Sequence, residues 1–185
     1  MSGPVLETAR LSLRRFTPAD EDDLWKLNSD PAVMRFLNGG RPISRETVKE
    51  ELARLIAEDG SRSGRWAAED RETGGCLGWF ALRPLPDAEP GTLELGYRLK
   101  RSAWGQGYAT EGARALVRRA FTELDAERVV ACTMTVNVAS RRVMERAGLR
   151  YVRTFFQDWP DVIEGSEQGD VEYALSREEW AERGS

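Results

Sequence analysis

Apolar positions change their period several times along the chain, and each change marks an element. Leu6 to Phe16 alternates, with Leu11 and Leu13 facing inward and Phe16 a further inward candidate at the end, which predicts a first strand. Thr17-Pro18-Ala19-Asp20 then opens a helix, with Thr17 as cap, Pro18 in the first turn and Leu24 and Leu27 on the apolar side. Asn28 to Pro31 ends or interrupts it. A second helix follows Gly39-Gly40-Arg41-Pro42. Ser44 caps it, Val48, Leu52, Leu55 and Ile56 recur at helical spacing, and Gly60 to Gly64 closes it.

Arg65 to Asp70 and Cys76 to Leu82 flank Arg71-Glu72-Thr73-Gly74-Gly75, whose two glycines suit the positive φ of a hairpin turn, so an antiparallel pair is expected. After the proline-interrupted loop Leu85 to Gly91 comes the strand Thr92 to Leu99, and then a glycine-rich turn. Ala113, Leu116, Val117, Ala120, Phe121 and Leu124 form one continuous helical stripe. Arg128 to Val136 reads as a strand, Asn137 to Ala147 as a helix ended by Gly148, Tyr151 to Phe156 and Val171 to Leu175 as strands, and Ser176 as the cap of a short last helix. The order β-α-α-β-β-β-α-β-α-β-β predicts an α+β or α/β-type mixed sheet with helices on its faces.

Composition narrows the chemistry. The 185 residues suit one domain, 1-185, and 41% hydrophobic with 31% charged residues is an ordinary globular balance that disfavours disorder. A net charge of -4 argues against a broad nucleic-acid face. No apolar run is long enough to span a bilayer, and Met1 to Arg14 lacks the apolar core of a secretory signal, so a cytoplasmic location is expected. With no histidine, Ser-His-Asp and Cys-His centres are impossible, and no cluster of Asp, Glu and Cys suggests a metal site. Cys76 and Cys132 sit in apolar, strand-like stretches and read as two buried, reduced thiols.

The candidate chemistry gathers at Trp104-Gly105-Gln106-Gly107-Tyr108-Ala109-Thr110-Glu111, a glycine turn between a strand and a helix. Unpaired N-H groups and the helix dipole converge there on an anion, although such turns also serve plain packing. The turn lacks the spacing and lysine of a Walker A loop. It also lacks the third small residue and the distant acid of a dinucleotide fingerprint.

Together with Glu94-Leu95-Gly96-Tyr97, Asn137-Val138-Ala139-Ser140, Val143 to Leu149 and the opening Glu7 to Arg14, this turn resembles the GNAT superfamily. More narrowly, it resembles the branch of the RimJ and RimL ribosomal-protein N-terminal acetyltransferases. The resemblance covers about residues 6-175. It implies a single-domain acyl-CoA N-acyltransferase fold with a splayed mixed sheet, acetyl-CoA as co-substrate without a metal, and an amine acceptor that is a protein N-terminus or a small molecule. It also implies a habit of homodimerisation, for which no surface patch is legible. In the superfamily signature a Gln or Arg stands where this chain has Trp104, so main-chain groups carry more of the recognition. Gly105, Gln106, Gly107, Tyr108, Ala109 and Thr110 would hold the pyrophosphate, the main chain at Tyr97 and Leu99 would pair with the pantetheine amides, and Asn137 would hydrogen-bond the cofactor.

Direct attack by an amine needs a base, a donor to the oxyanion and an acid for the thiolate. Glu94 is the candidate base if burial raises its pKa. Its bland alternative is a solvent-facing strand carboxylate paired with Arg98. Ser140 is either the acid or merely a helix cap. Asp87, Glu89, Asp158, Asp161, Glu164, Glu167 and Asp170 form acidic loops that either attract a cationic acceptor or are simply solvated. Trp66, Trp79 and Trp159 are core or pocket aromatics, and Arg114, Arg118 and Arg119 either meet the adenosine phosphate or lie in solvent. A non-catalytic acyl-CoA-binding module is the alternative from another class.

Overall fold

The computed structural model describes residues 3–58, 62–158 and 160–184. Its centre is an eight-stranded mixed sheet: β1 (Leu6–Glu7), β2 (Leu11–Arg14), β3 (Gly64–Asp70), β4 (Cys76–Pro84), β5 (Thr92–Leu99), β6 (Arg128–Met134), β7 (Arg150–Phe155) and β8 (Asp170–Ser176), in the order β1-β2-β3-β4-β5-β6-β8-β7. All neighbours are antiparallel except β5 and β6. The helices are α1 (Glu21–Ser29), α2 (Pro31–Asn38), α3 (Arg45–Ala57), α4 (Tyr108–Glu123), α5 (Val138–Arg146) and α6 (Arg177–Glu182). Among the described residues no helix is long and apolar enough to cross a membrane.

Strand alternation divides the core in two. Leu11, Leu13, Trp66, Phe80, Leu82, Leu93, Leu95 and Leu99 pack under the α4 stripe, with Met144 of α5 joining them. The opposite face sends Ala67, Trp79 and Ala81 against Leu24 and Leu27 of α1 and Val48 and Leu52 of α3. Trp66 and Trp79 are therefore core residues. Trp159 and the predicted stop at Gly60 lie outside the described residues.

The structure corrects several expectations. The first strand is broken, because Thr8 N-H turns back to the Leu11 carbonyl at 2.9 Å. A separate α2 stands where Pro31 had suggested only a stop. Proline is tolerated in a first helical turn, and the Asp30 side chain caps the helix by accepting from Ala32 N-H at 2.9 Å. In the β3–β4 turn only Gly74, at φ 71°, is left-handed. Arg119 is buried, with its guanidinium donating to the Val5 carbonyl at 2.9 Å.

Gly112 is the small residue that lets α4 lie close to the sheet: a Cβ there would run into the Phe80 ring. Gly112→Ala should therefore lower stability by about 1–3 kcal/mol despite alanine's better helix propensity. Urea denaturation checks this, and an unchanged or higher midpoint would show that Phe80 has room to move.

Candidate active site

The turn after β5 is a short 3-10 stretch, Arg101–Ala103, followed by two left-handed glycines, Gly105 at φ 72° and Gly107 at φ 82°. Gly107 occupies the cap position of α4, and the first helical N-H to find a carbonyl is that of Glu111, onto Gly107 at 3.0 Å. The N-H groups of Gly105, Gln106, Gly107, Tyr108, Ala109 and Thr110 thus carry no hydrogen bond within the protein among the described residues. Six free donors at a helix N-terminus form a cradle suited to a phosphate.

Residues far away in sequence brace this cradle. Glu111 accepts from Thr8 Oγ1 at 2.6 Å, from Arg10 N-H at 2.9 Å and from Arg10 Nε at 2.7 Å. Arg10 Nη1 also donates to the Gln106 carbonyl at 2.9 Å, and its guanidinium lies 4.4 Å from the centre of the Tyr108 ring. Tyr108 in turn donates to Asp70 at 2.6 Å. Beside the loop an open groove of about 900 Å³ is lined by Thr8, Arg10, Gly107, Thr110, Arg114 and Arg118, among others.

Upstream of the loop the sheet opens. Residues on β5 and β6 pair as Thr92↔Arg128, Leu93↔Val129 and Glu94↔Val130, and the ladder ends there. Leu85 N-H donates to the Thr92 carbonyl and Lys100 N-H to the Leu77 carbonyl, which sets the alternation. Thr92, Glu94, Gly96 and Arg98 turn their main-chain groups to β4, whereas Tyr97 and Leu99 turn theirs into the gap. The Leu99 carbonyl there accepts from Trp104 Nε1 at 2.9 Å, leaving the Leu99 N-H and both Tyr97 groups facing the opening. Free main-chain groups in such a gap suit an extended amide-bearing chain.

Glu94 and Ser140 approach the gap from opposite faces of the sheet. Glu94 lies on the face covered by α1 and α3. Its carboxylate stands 3.9 Å from Arg83 Nη2, directly across the strand pair, with about a third of the side chain exposed. The Glu94–Arg98 pair offered as the alternative to a catalytic role does not form, because residues four apart on one strand are ~13 Å apart. Arg98 instead reaches Asn28 Oδ1 of α1 at 2.6 Å, and burial pushes its pKa down to about 10. Arg98 and Arg65 both lie over the Trp79 ring, at 5.1 and 4.2 Å, and Arg65 pairs with Glu51 of α3 at 2.6 Å. This polar chain fastens α1 and α3 to the sheet beside Glu94. Sequence reasoning gave it no weight.

On the other face, Asn137 caps α5: its Oδ1 accepts from Ser140 N-H at 3.3 Å while its Nδ2 donates to Thr133 Oγ1 at 3.0 Å. Both ends of the amide are therefore engaged within the protein. Ser140 is the third residue of the helix and not its cap, and its Oγ lies 2.9 Å from the Tyr97 hydroxyl.

Of the acidic loop residues, Asp161 pairs with Arg41 at 2.8 Å and Glu164 with Arg35 at 3.9 Å, both exposed, which ties the 160–169 segment to the α2 region. Asp170 is buried. Among the described residues no group of three His, Cys, Asp or Glu side chains is placed to hold a metal ion.

Cys132 departs from expectation in being exposed. It follows Val130, the partner of Glu94, on the same face of β6. Its local withdrawal from water, and then the carboxylates of Glu172, Glu94 and Asp170, push its thiol up to about 12. At pH 8 its thiolate fraction is roughly a thousandth or less of that of an ordinary cysteine near 8.5. Iodoacetamide should accordingly alkylate Cys132 about tenfold to a hundredfold more slowly than a free thiol, the scarcer thiolate being also the more nucleophilic one, with a rate still rising at pH 10. Labelling at the free-thiol rate would overturn that environment.

Residues 10–150 match the family model described as "Acetyltransferase (GNAT) domain". A relative from Aspergillus fumigatus named FsC-acetyl coenzyme A-N(2)-transacetylase is 38% identical, over 96% of this chain and 78% of its own. The crystal structure of a GNAT-family acetyltransferase from Bacillus anthracis superposes with a TM-score of 0.79 at 22% identity, covering 94% of this chain and 98% of that one. A spermidine N-acetyltransferase from Vibrio cholerae, solved with CoA and spermine, gives a TM-score of 0.77 at 17% identity, over 94% and 99%.

Proposed function

The chain belongs to the GNAT acetyltransferase family, and on that premise we propose that it moves an acetyl group from acetyl-CoA directly to a primary amine of a small molecule, within a ternary complex. The observation that carries the reading is the gap between β5 and β6, opening beside a cradle of six free N-H groups. The residues present fit the co-substrate. Gly105, Gln106, Gly107, Tyr108, Ala109 and Thr110 would hold the pyrophosphate through their main chain, and Arg10, Arg114 and Arg118 in the adjoining groove would face the adenosine phosphate. Tyr97 and the Leu99 N-H would pair with the pantetheine amides. Asn137 would hydrogen-bond the cofactor through the second hydrogen and lone pair of its amide, beyond those given to Thr133 and Ser140.

Reaction requires an amine on one side of the thioester carbonyl and a departing sulfur on the other. Glu94 and Ser140 stand on opposite faces of the gap, which suits that division. Glu94 takes the amine proton, directly or through water, and the Ser140 hydroxyl donates to the sulfur. With no histidine in the chain and the Cys132 thiol pushed towards its protonated form, no side chain near the gap among the described residues is a ready nucleophile for an acyl-enzyme. The N(2) acceptor in the Aspergillus relative's name supports a small-molecule amine. The RimJ/RimL resemblance supports a protein N-terminus as the other candidate.

Mixing the protein with acetyl-CoA, a thiol reagent and a panel of small amines and N-terminal peptides should give thiol release that depends on the amine. Initial velocities varied in both substrates should yield intersecting double-reciprocal lines. Parallel lines would overturn direct transfer, and saturable CoA binding without turnover on the whole panel would favour a binding module. Glu94→Gln should lower kcat by about 10²–10⁴ with little change in the KM for acetyl-CoA. Wild-type turnover across pH in that variant would remove Glu94 as the base.

A further inference from the structure

Tyr97 follows Glu94 by three residues on β5 and so points to the opposite face, into the core beneath α4. Its ring lies 6.2 Å from that of Phe80, and its hydroxyl reaches two oxygens of one residue: Ser140 Oγ at 2.9 Å and the Ser140 carbonyl at 3.1 Å. Burial holds the phenol up to about 12, so it keeps its hydrogen throughout the working pH range. A phenol has only one hydrogen to give, and the two acceptors compete for it.

The competition defines two arrangements. If Tyr97 donates to the carbonyl, Ser140 turns its own hydrogen back onto the phenol oxygen. If Tyr97 donates to Oγ, the serine hydrogen is free to point elsewhere. We propose that Tyr97 is a positioning residue that aims the Ser140 hydroxyl at the departing sulfur, the second arrangement being the productive one. This rests on the acetyl-transfer reading of the gap.

In the step itself the amine nitrogen bonds to the carbonyl carbon, the C–S bond breaks and its electron pair stays on sulfur. The Ser140 proton goes to that sulfur. The serine oxygen is reprotonated from solvent, which receives the proton released by the amine. Tyr97 loses nothing. Its hydrogen bond polarises the serine O-H and takes the lone pair that would otherwise leave the serine free to rotate.

Two measurements test this, one of them independent of turnover. Wild-type protein should bind CoA about tenfold more tightly than desulfo-CoA as pH is raised and the thiolate forms, because a hydrogen bond to a charged sulfur is made only by CoA. Ser140→Ala should abolish that preference, Tyr97→Phe should abolish most of it, and unaltered desulfo-CoA affinity in each variant shows that the fold and groove are intact. Kinetically, Tyr97→Phe and Ser140→Ala should each lower kcat about tenfold to a hundredfold with the acetyl-CoA KM within about twofold, and the double variant should be no worse than Ser140→Ala alone.

Additive losses in the double variant, or a sulfur preference that survives Tyr97→Phe, would overturn the proposal. A sulfur preference lost on Tyr97→Phe in a protein that acetylates no amine would sink the proposed function while leaving the Tyr97–Ser140 placement standing.

Discussion

A sheet that parts between two of its own strands exposes main-chain donors and acceptors that no neighbouring strand satisfies among the described residues, and the rest of this molecule is arranged around that constraint. The three paired residues at the start of β5 and β6 fix where the parting begins. Beyond Glu94 the only strand paired with β5 is β4. An unsatisfied buried amide costs on the order of 1–3 kcal/mol, so such a gap persists only where water or a ligand completes it. An extended chain with its own amides is the natural complement, and the cradle of N-H groups at the far end suits the anion such a chain would carry.

Keeping the gap and the cradle in register requires rigidity from outside them. Glu111 supplies much of it by gathering three donors from the Thr8–Arg10 hook, so the segment before β2 is fixed onto the first turn of α4. Trp104 does similar work on the gap side. Its indole takes the Leu99 carbonyl while the ring stays half exposed, so the position lacking the polar residue of the superfamily signature becomes a strut for β5. On the opposite face the Arg98–Asn28 and Arg65–Glu51 contacts, stacked on Trp79, hold α1 and α3 against the strands that carry Glu94.

The legible parts of the sequence were those whose signal is periodic. Thr92–Leu99 and the α4 stripe follow directly from alternation and helical spacing, and the glycine turn follows from its place between them. Pro31 misled because a proline can open a helix as well as close one, although Val33, Met34 and Leu37 before Gly39 carried a helical spacing. The alternative reading of Glu94, a solvent-facing carboxylate paired with Arg98, named a residue on the same face but not the neighbour it has in Arg83, since alternation gives shared faces and only the strand order gives the residue across. The Arg10–Glu111 brace joins residues 101 positions apart and has no local signal at all. The exposure of Cys132 was hidden for a related reason: an apolar stretch in β6 says nothing of what covers each face of the strand.

That division bears on where the rate comes from. On the proposed direct transfer, a chain without histidine, whose exposed thiol near the gap is pushed towards its protonated form, works by placement and hydrogen bonding. Holding two reactants in attack geometry is worth up to about 7–11 kcal/mol, whereas a single acid or base contributes roughly 10²–10⁴-fold, or about 3–5 kcal/mol. Placement is therefore the larger share, and it belongs to the braces rather than to Glu94 or Ser140. Because the gap joins the two faces of the sheet, the residues that hold its edges apart also keep the amine side and the sulfur side distinct.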